Sequence, residues 1–210
     1  MRPIAKFYTA LLFLFLFAPI LIMLVFSFNG GNSLSVLDGF SLYWYKELFH
    51  DEDTLGALRN TLILALCAAL LSTIMGTAAA VGMNKLRSKY MKAAINTVTN
   101  LPMVNPEIIT GISLMLMFVF FGRLIGMRTS LNFGTMLIAH ITFNIPYVIL
   151  SIMPKLRQMD KNLVDAAQDL GCTWMQAFWK VVVPEIKPGI VNGLLIAFTM
   201  SVDDFVISYF

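Results

Sequence analysis

Long apolar blocks alternate with short polar ones along the whole chain. Taking about 20 apolar residues as one bilayer crossing, the blocks predict five helical spans, at 7–28, 58–83, 93–121, 131–153 and 189–210. The expected fold is an all-α, polytopic membrane protein forming a single transmembrane domain over 1–210, with no domain-sized soluble insertion and no internal repeat. The first block is longer than the roughly 7–15 residue core of a signal peptide and lacks a small-residue cleavage site, so it reads as a span. The second carries Gly76, Ala78, Ala79, Ala80 and Gly82, a small-residue face suited to close helix contact. The third contains Pro102, Pro106 and Gly111. Both prolines remove a donor and clash with the preceding turn, so an interruption is expected between Leu101 and Glu107. Lipid tolerates such a break only beside protein or a water-lined cavity. Pro146 is expected to break the fourth span in the same way.

One polar stretch, about 154–188, keeps helical patterning. Leu163, Ala166, Ala167 and Leu170 recur at spacings of three and four, and Gly171 can end that helix through positive φ. Thr173 with Gln176 forms a capping-box pattern for a second helix with Trp174, Phe178 and Val181 on one face, which Pro184 is expected to stop. Two short helices meeting at a glycine, with small alanines on the surface, predict a docking site for another protein.

Composition agrees with the pattern: 58% of residues are hydrophobic, 13% are charged, and the mean hydropathy is +0.77. Of the 15 basic residues, eleven flank one side of the predicted spans, and four, Lys46, Arg59, Arg123 and Arg128, flank the other. The positive-inside rule then puts the N-terminus and the polar stretch in the cytoplasm. The basic residues serve topology and anionic lipid, and the net charge of +3 is no sign of nucleic acid. Tyr43, Trp44 and Tyr45 suit the opposite membrane interface, beside Asp38, Glu47, Asp51, Glu52 and Asp53.

Three carboxylates remain inside apolar blocks: Glu107, Asp203 and Asp204. No Lys or Arg shares those blocks, and each acid would cost roughly 2.5–3.5 kcal/mol at mid-bilayer, so they should face one another or a polar path. They either recognise a cation, or cap freed backbone N–H groups, or stay protonated. Cys67 and Cys172 suggest no disulfide, and His50 and His140 have no partners at metal-ligand spacing; His140 reads as a hydrogen-bonded packing residue. The chain lacks a phosphate-binding GxxxxGK[ST] loop and a nucleophile–base pair, so it is expected to be no enzyme and to hold no cofactor, ATP being bound by a partner.

The polar stretch resembles the cytoplasmic EAA loop of ABC-importer permeases, whose pattern is EAA, three residues, Gly, nine residues, then I-x-L-P. Here Asp165, Ala166, Ala167 and Gly171 precede Val181, Val183 and Pro184 at the full spacing. Asp for Glu and Val for Ile and Leu keep charge and apolar character. NPEIITGISL, HITFNIPYVI, AAQDLG and FTMSVDDFVIS look like the PotC-type permeases of bacterial spermidine/putrescine ABC transporters, a resemblance that covers nearly the whole chain. The resemblance implies a MetI-like helical importer half in the bacterial inner membrane. Its implied partners are cytoplasmic ATPase subunits, a second homologous permease and an extracytoplasmic polyamine-binding protein. It also implies a sixth span, so the chain, which stops at Phe210 while still apolar, reads as truncated at its C-terminus. A polyamine's spaced ammonium groups suit separated carboxylates and aromatic faces. The alternatives are an ABC permease for another small cationic solute and a cation-coupled secondary carrier; the latter has no use for an EAA-spaced helix pair.

Overall fold

The structure, a computed structural model, describes residues 3–31, 36, 38–86, 88–104, 107–126, 131–160 and 162–209, with backbone only at 3–5, 101–104, 107, 206 and 209. Among these residues it is helical, with a single isolated β-bridge, Asn29 to Phe40. The helices are α1 (Pro3–Phe26), α2 (Tyr43–His50), α3 (Glu52–Lys85), α4 (Lys89–Val104), α5 (Glu107–Leu124) and α6 (Phe133–Gln158). After them come α7 (Asn162–Asp169), α8 (Trp174–Ala177), a π-helical turn (Phe178–Val182), α9 (Val183–Asp203) and α10 (Val206–Tyr209). Four helical stretches are long and apolar enough to cross a membrane: Lys6–Phe26, Glu52–Lys85, Phe133–Gln158 and Trp174–Asp203; Ile108–Leu124 is a shorter apolar helix.

The chain divides into two compact units, Met1–Arg59 and Asn60–Phe210. In the first, α1 has a mean hydropathy of 2.8 and exposed Phe, Leu and Ile side chains, a surface suited to lipid. The connection after α1 is held by buried Asn29, whose amide donates to Val36 O at 2.8 Å and accepts from Asp38 N–H at 2.7 Å. Phe28 stacks on Phe40, and the Tyr45 ring tilts against Phe28, each at 5.4 Å. Asp51 caps α3 by accepting from the Asp53 and Thr54 N–H groups at 3.2 and 3.4 Å and from the Thr54 hydroxyl. Those bonds, the hydroxyl's foremost, hold its carboxyl below the usual carboxylate range.

In the second unit α6 packs along α9, and the contact is close because glycines line it. A Cβ on Gly189 would stand 3.1 Å from Ser151 O, and one on Gly76 of α3 would stand 2.6 Å from Val148 Cγ1. Of the small residues expected to form a contact face on the second apolar block, Gly76 and Ala80 are buried and Gly76 meets α6 at Val148, whereas Ala78 and Gly82 are exposed. Around it gather Val148, Ile152, Leu156, Val182, Ile186 and Ala197, all buried.

Two expectations about prolines, at Pro146 and Pro184, need correcting. Pro146 does not break the fourth span: α6 is one helix through Pro146 and Pro154, and Pro146 is buried among its neighbours, which shield the ladder gap. Pro102 lies within α4, which runs to Val104, and α5 begins at Glu107; residues 105–106, on which the interruption expected between Leu101 and Glu107 falls, lie outside the described residues. Pro184 does not stop the second docking helix either. Val183 N–H reaches back five residues to Phe178 O, and this wide turn sits directly before the proline, whose ring and missing N–H would conflict with the Lys180 carbonyl of a regular helix. The helix therefore runs from Trp174 to Asp203, about 45 Å. It ends at Asp203, short of the expected boundary at 210, because Asp204 turns extended with ψ 106°.

Candidate functional site

Two regions hold the candidate residues: the helix pair α7–α8, and the junction of α9 with α10. At the first, α7 closes as expected. Gly171 has φ +86°, its N–H donates to Gln168 O at 2.9 Å, and Cys172 N–H reaches Ala167 O at 3.1 Å, the two bonds of a Schellman motif. The capping box of α8 forms too: Thr173 N–H donates to Gln176 Oε1 at 2.9 Å, and Gln176 N–H to Thr173 Oγ1 at 3.4 Å.

The pair packs against the rest of the second unit. Val164 and Phe178 pack against the buried cluster of α3, α6 and α9, and buried Ala177 and Val182 lie beside them. Lys85, at the end of α3, places Nζ 3.6 Å from the centroid of Trp174, whose ring stacks on Phe178 at 5.6 Å. A cavity of about 180 Å³ lies between these groups. The apolar stripe that spacing placed on one face is left out of this packing in large part: Leu163 and Ala166 are exposed, Leu170 is 87% exposed, and Ala167 is half-buried. Asp165, Gly171 and Pro184 are exposed, while Val181 and Val183 are half-buried. Lys85 escaped the sequence reading because its partner lies far along the chain.

The acids of the apolar blocks do not share one environment. Asp203 is the last residue of α9 and is exposed. Asp204 turns inward: its side chain is only 3% exposed, it accepts from Ile207 N–H at 3.1 Å, and its Oδ2 lies 3.7 Å from Nε2 of buried His140 on α6. Ser208 Oγ lies 3.5 Å from the same nitrogen. Glu107 opens α5, and its side chain is outside the described residues. One turn further along α5, Gly111 lines a pocket of about 250 Å³ between α5, α6 and α10, with Leu114, Phe118, Met136, Ala139 and Ser208. One turn along α6 from His140, buried Asn144 donates to Ser201 Oγ at 2.7 Å. The spacing of His140 and Asn144, four residues apart in an apolar block, is the signal that would have found this polar seam. Among the described residues no group of three His, Cys, Asp or Glu side chains could hold a metal ion.

Residues 72–210, from the small-residue stretch of α3 to the end of the chain, match the family described as binding-protein-dependent transport system inner membrane component. The chain belongs to this family. Similar permeases extend the match toward the N-terminus. The putrescine transport system permease protein PotI of Escherichia coli is 38% identical over 94% of this chain and 70% of its own length. The spermidine/putrescine transport system permease protein PotC of Haemophilus influenzae is 34% identical over 93% of this chain and 74% of its own. PotC of Escherichia coli is 31% identical over 97% and 74%. Both the helix pair α7–α8 and the His140–Asp204 junction lie inside the region that matches the family.

Proposed function

We propose that this protein is the membrane-spanning permease subunit of an ATP-driven importer of polyamines, putrescine or spermidine, across a bacterial inner membrane. The observation that carries the solute is the 38% identity to a putrescine permease over nearly the whole chain. The family supplies the division of labour: a component that depends on a binding protein receives its solute from that protein. The chain acts as one permease domain over 1–210 beside a second, homologous permease, with cytoplasmic ATPase subunits binding the ATP and no cofactor of its own. Five crossings place the N-terminus and α7–α8 in the cytoplasm, α4 and α5 together making the third.

The exposed stripe of Leu163, Ala166 and Leu170 is the face for the ATPase, with Asp165, Ala167, Gly171, Val181, Val183 and Pro184 around it. Because the helix from Trp174 to Asp203 is continuous, a push on α8 travels along about 45 Å of helix to the acids at its far end. Glu107, Asp203 and Asp204 supply negative charge to the path, where ammonium groups exchange hydration for carboxylate contacts. The pocket beside Gly111, with its apolar walls, suits the methylenes between those groups.

Co-purification with a candidate ATPase, followed by hydrolysis assays, tests this reading. Stimulation by putrescine- or spermidine-loaded binding protein is expected. Stimulation by another cationic solute alone would replace the solute and keep the class; uptake that ignores ATP would replace both with a secondary carrier.

A further inference from the structure

Resting on the reading of α7–α8 as the ATPase contact, we propose that Lys85 is a positioning residue for energy coupling: its ammonium group clamps the Trp174 ring, so that a movement imposed on the docking helices reaches α3 as well as α9. Trp174 opens the continuous helix that ends at Asp203, so α9 follows α8 through the backbone. The end of α3 lies far back along the chain and follows only through side-chain contact. The ion over the ring, with Nζ 3.6 Å from the centroid, supplies that contact.

Two observations separate Lys85 from the solvated basic residues around it. Among the described residues it forms no salt bridge, so the ring is the partner of its charge. The contact also bridges a gap: Val81, Asn84 and Lys85 of α3 face Val164, Trp174 and Phe178 across the cavity of about 180 Å³. Unfilled space forfeits dispersion contact, so apolar packing alone ties the two sides weakly there. Phe178 sets the ring from below, stacked on it with 19° between the planes, and itself packs against the buried cluster. The flexible stem of a lysine lets the ammonium group follow the ring through a small movement without releasing it.

What α3 receives, it can pass on. At Gly76, about 14 Å along the helix from Lys85, α3 crosses α6 so closely that a Cβ would stand 2.6 Å from Val148 Cγ1. Close-packed contacts transmit a displacement rather than absorb it, so a shift of α3 acts on α6 at Val148. The same helix carries His140 and Asn144, which meet the far end of α9. A docking movement therefore reaches the polar seam by two routes, along α9 and through α3. With the clamp open only α9 is driven, α3 lags behind, and ATP is hydrolysed without transport.

The test uses the complete transporter in liposomes, with its partner permease, ATPase subunits and putrescine-loaded binding protein. The ratio of ATP hydrolysed to putrescine moved is measured for the wild type, Lys85→Met, Lys85→Arg, Trp174→Leu and the Lys85→Met, Trp174→Leu double variant. Met keeps the length and apolar contacts of the stem and removes the charge, so the ratio is expected to rise about two- to five-fold, the shift in population that an exposed cation–π contact controls. Arg keeps a cation over the ring and should stay near the wild type, and the double variant should be no worse than Trp174→Leu alone. A purely structural role would lower the amount of assembled transporter and leave this ratio unmoved. An unmoved ratio in Lys85→Met, an Arg variant as uncoupled as Met, or additive effects of the two changes would each overturn the clamp. Should the Met variant not assemble, Trp174→Phe, which keeps a ring on Phe178 but holds a cation less tightly, must raise the ratio in its place, and no rise overturns the proposal. Gly171→Asp and Gly171→Asn transporters that couple alike would remove the docking reading and the clamp with it; a difference between them beside an unmoved Lys85→Met removes the clamp alone.

Discussion

Asn144 on α6 donates its amide to Ser201 on α9 across 2.7 Å, and both side chains are buried where α6 packs along α9. Asn144 Oδ1 finds no hydrogen-bond partner among the described residues, so the Ser201 hydroxyl is the bond that offsets the amide's burial. Hydrogen bonds between membrane helices contribute about 0.5–2 kcal/mol. Ser201→Ala should destabilise the subunit by about 1 kcal/mol, read as a lower unfolding midpoint in detergent. Adding Asn144→Leu should cost less than the sum of the two single changes, because the pair is then lost together. Strict additivity would show that the bond does not hold α6 to α9.

Gly76 tests the crossing of α3 and α6. A methyl group there meets Val148 Cγ1 at 2.6 Å and Val148 Cβ at 2.8 Å, distances that force one helix to move. Gly76→Ala should cost about 1–3 kcal/mol through overpacking. Val148→Ala in the same chain removes Cγ1 but not Cβ, so it should recover part of the loss. A neutral Gly76→Ala in a thermal-stability assay would place the contact elsewhere.

How far the sequence reveals this architecture depends on the range of each interaction. The Gly171 stop and the Thr173–Gln176 capping box are read correctly because every atom involved lies within a few residues. Pro146 and Pro184 mislead because a proline's local conflict is absorbed by packing in one case and by a wide turn in the other, and neither is written in the adjacent residues. The inward turn of Asp204 depends on His140, 64 positions earlier in the chain, and the capture of Trp174 depends on Lys85. Counting charges along the apolar blocks finds the carboxylate but not the ring it meets.

Gly171 offers a test of docking that separates backbone from charge. Asn tolerates positive φ nearly as Gly does, and no atom lies within 4 Å of a Cβ built at 171, so Gly171→Asn should leave α7 and its Schellman motif in place. Gly171→Asp has similar shape and adds a negative charge beside exposed Leu170. Hydrolysis should then run without transport in the Asp variant, while the Asn variant stays near wild type. Two variants that assemble and transport alike would remove α7–α8 as the ATPase contact.

Asp51 gives a pH signature at the start of α3. Its carboxyl is held below the usual range by the Thr54 hydroxyl and by the backbone N–H groups of Thr54 and Asp53, so the folded state favours the ionised form. Its contribution is present in full above the unfolded carboxylate pKa and is lost as pH falls through the lowered folded value. Hydrogen exchange at the Asp53 and Thr54 amides should therefore accelerate at acid pH beyond the intrinsic trend. Asp51→Asn should flatten that response; an unchanged acid acceleration would assign it to another group.

The two adjacent aspartates should separate in function because the fold separates them. Asp204 is inward, caps the Ile207 N–H and faces His140, whereas Asp203 is exposed at the helix end. Asp204→Asn removes the charge but keeps an oxygen for the cap, so the subunit should accumulate normally while polyamine uptake falls, more for trivalent spermidine than for divalent putrescine. Asp204→Ala removes the cap as well and should also lower stability, by about 1 kcal/mol, a difference measurable as a lower unfolding midpoint than that of the Asn variant. Asp203→Asn should leave stability unchanged, and any loss of uptake there reports charge alone. Full uptake of both polyamines in the Asp203→Asn, Asp204→Asn double variant would leave the aspartates with structure only, as helix end and cap.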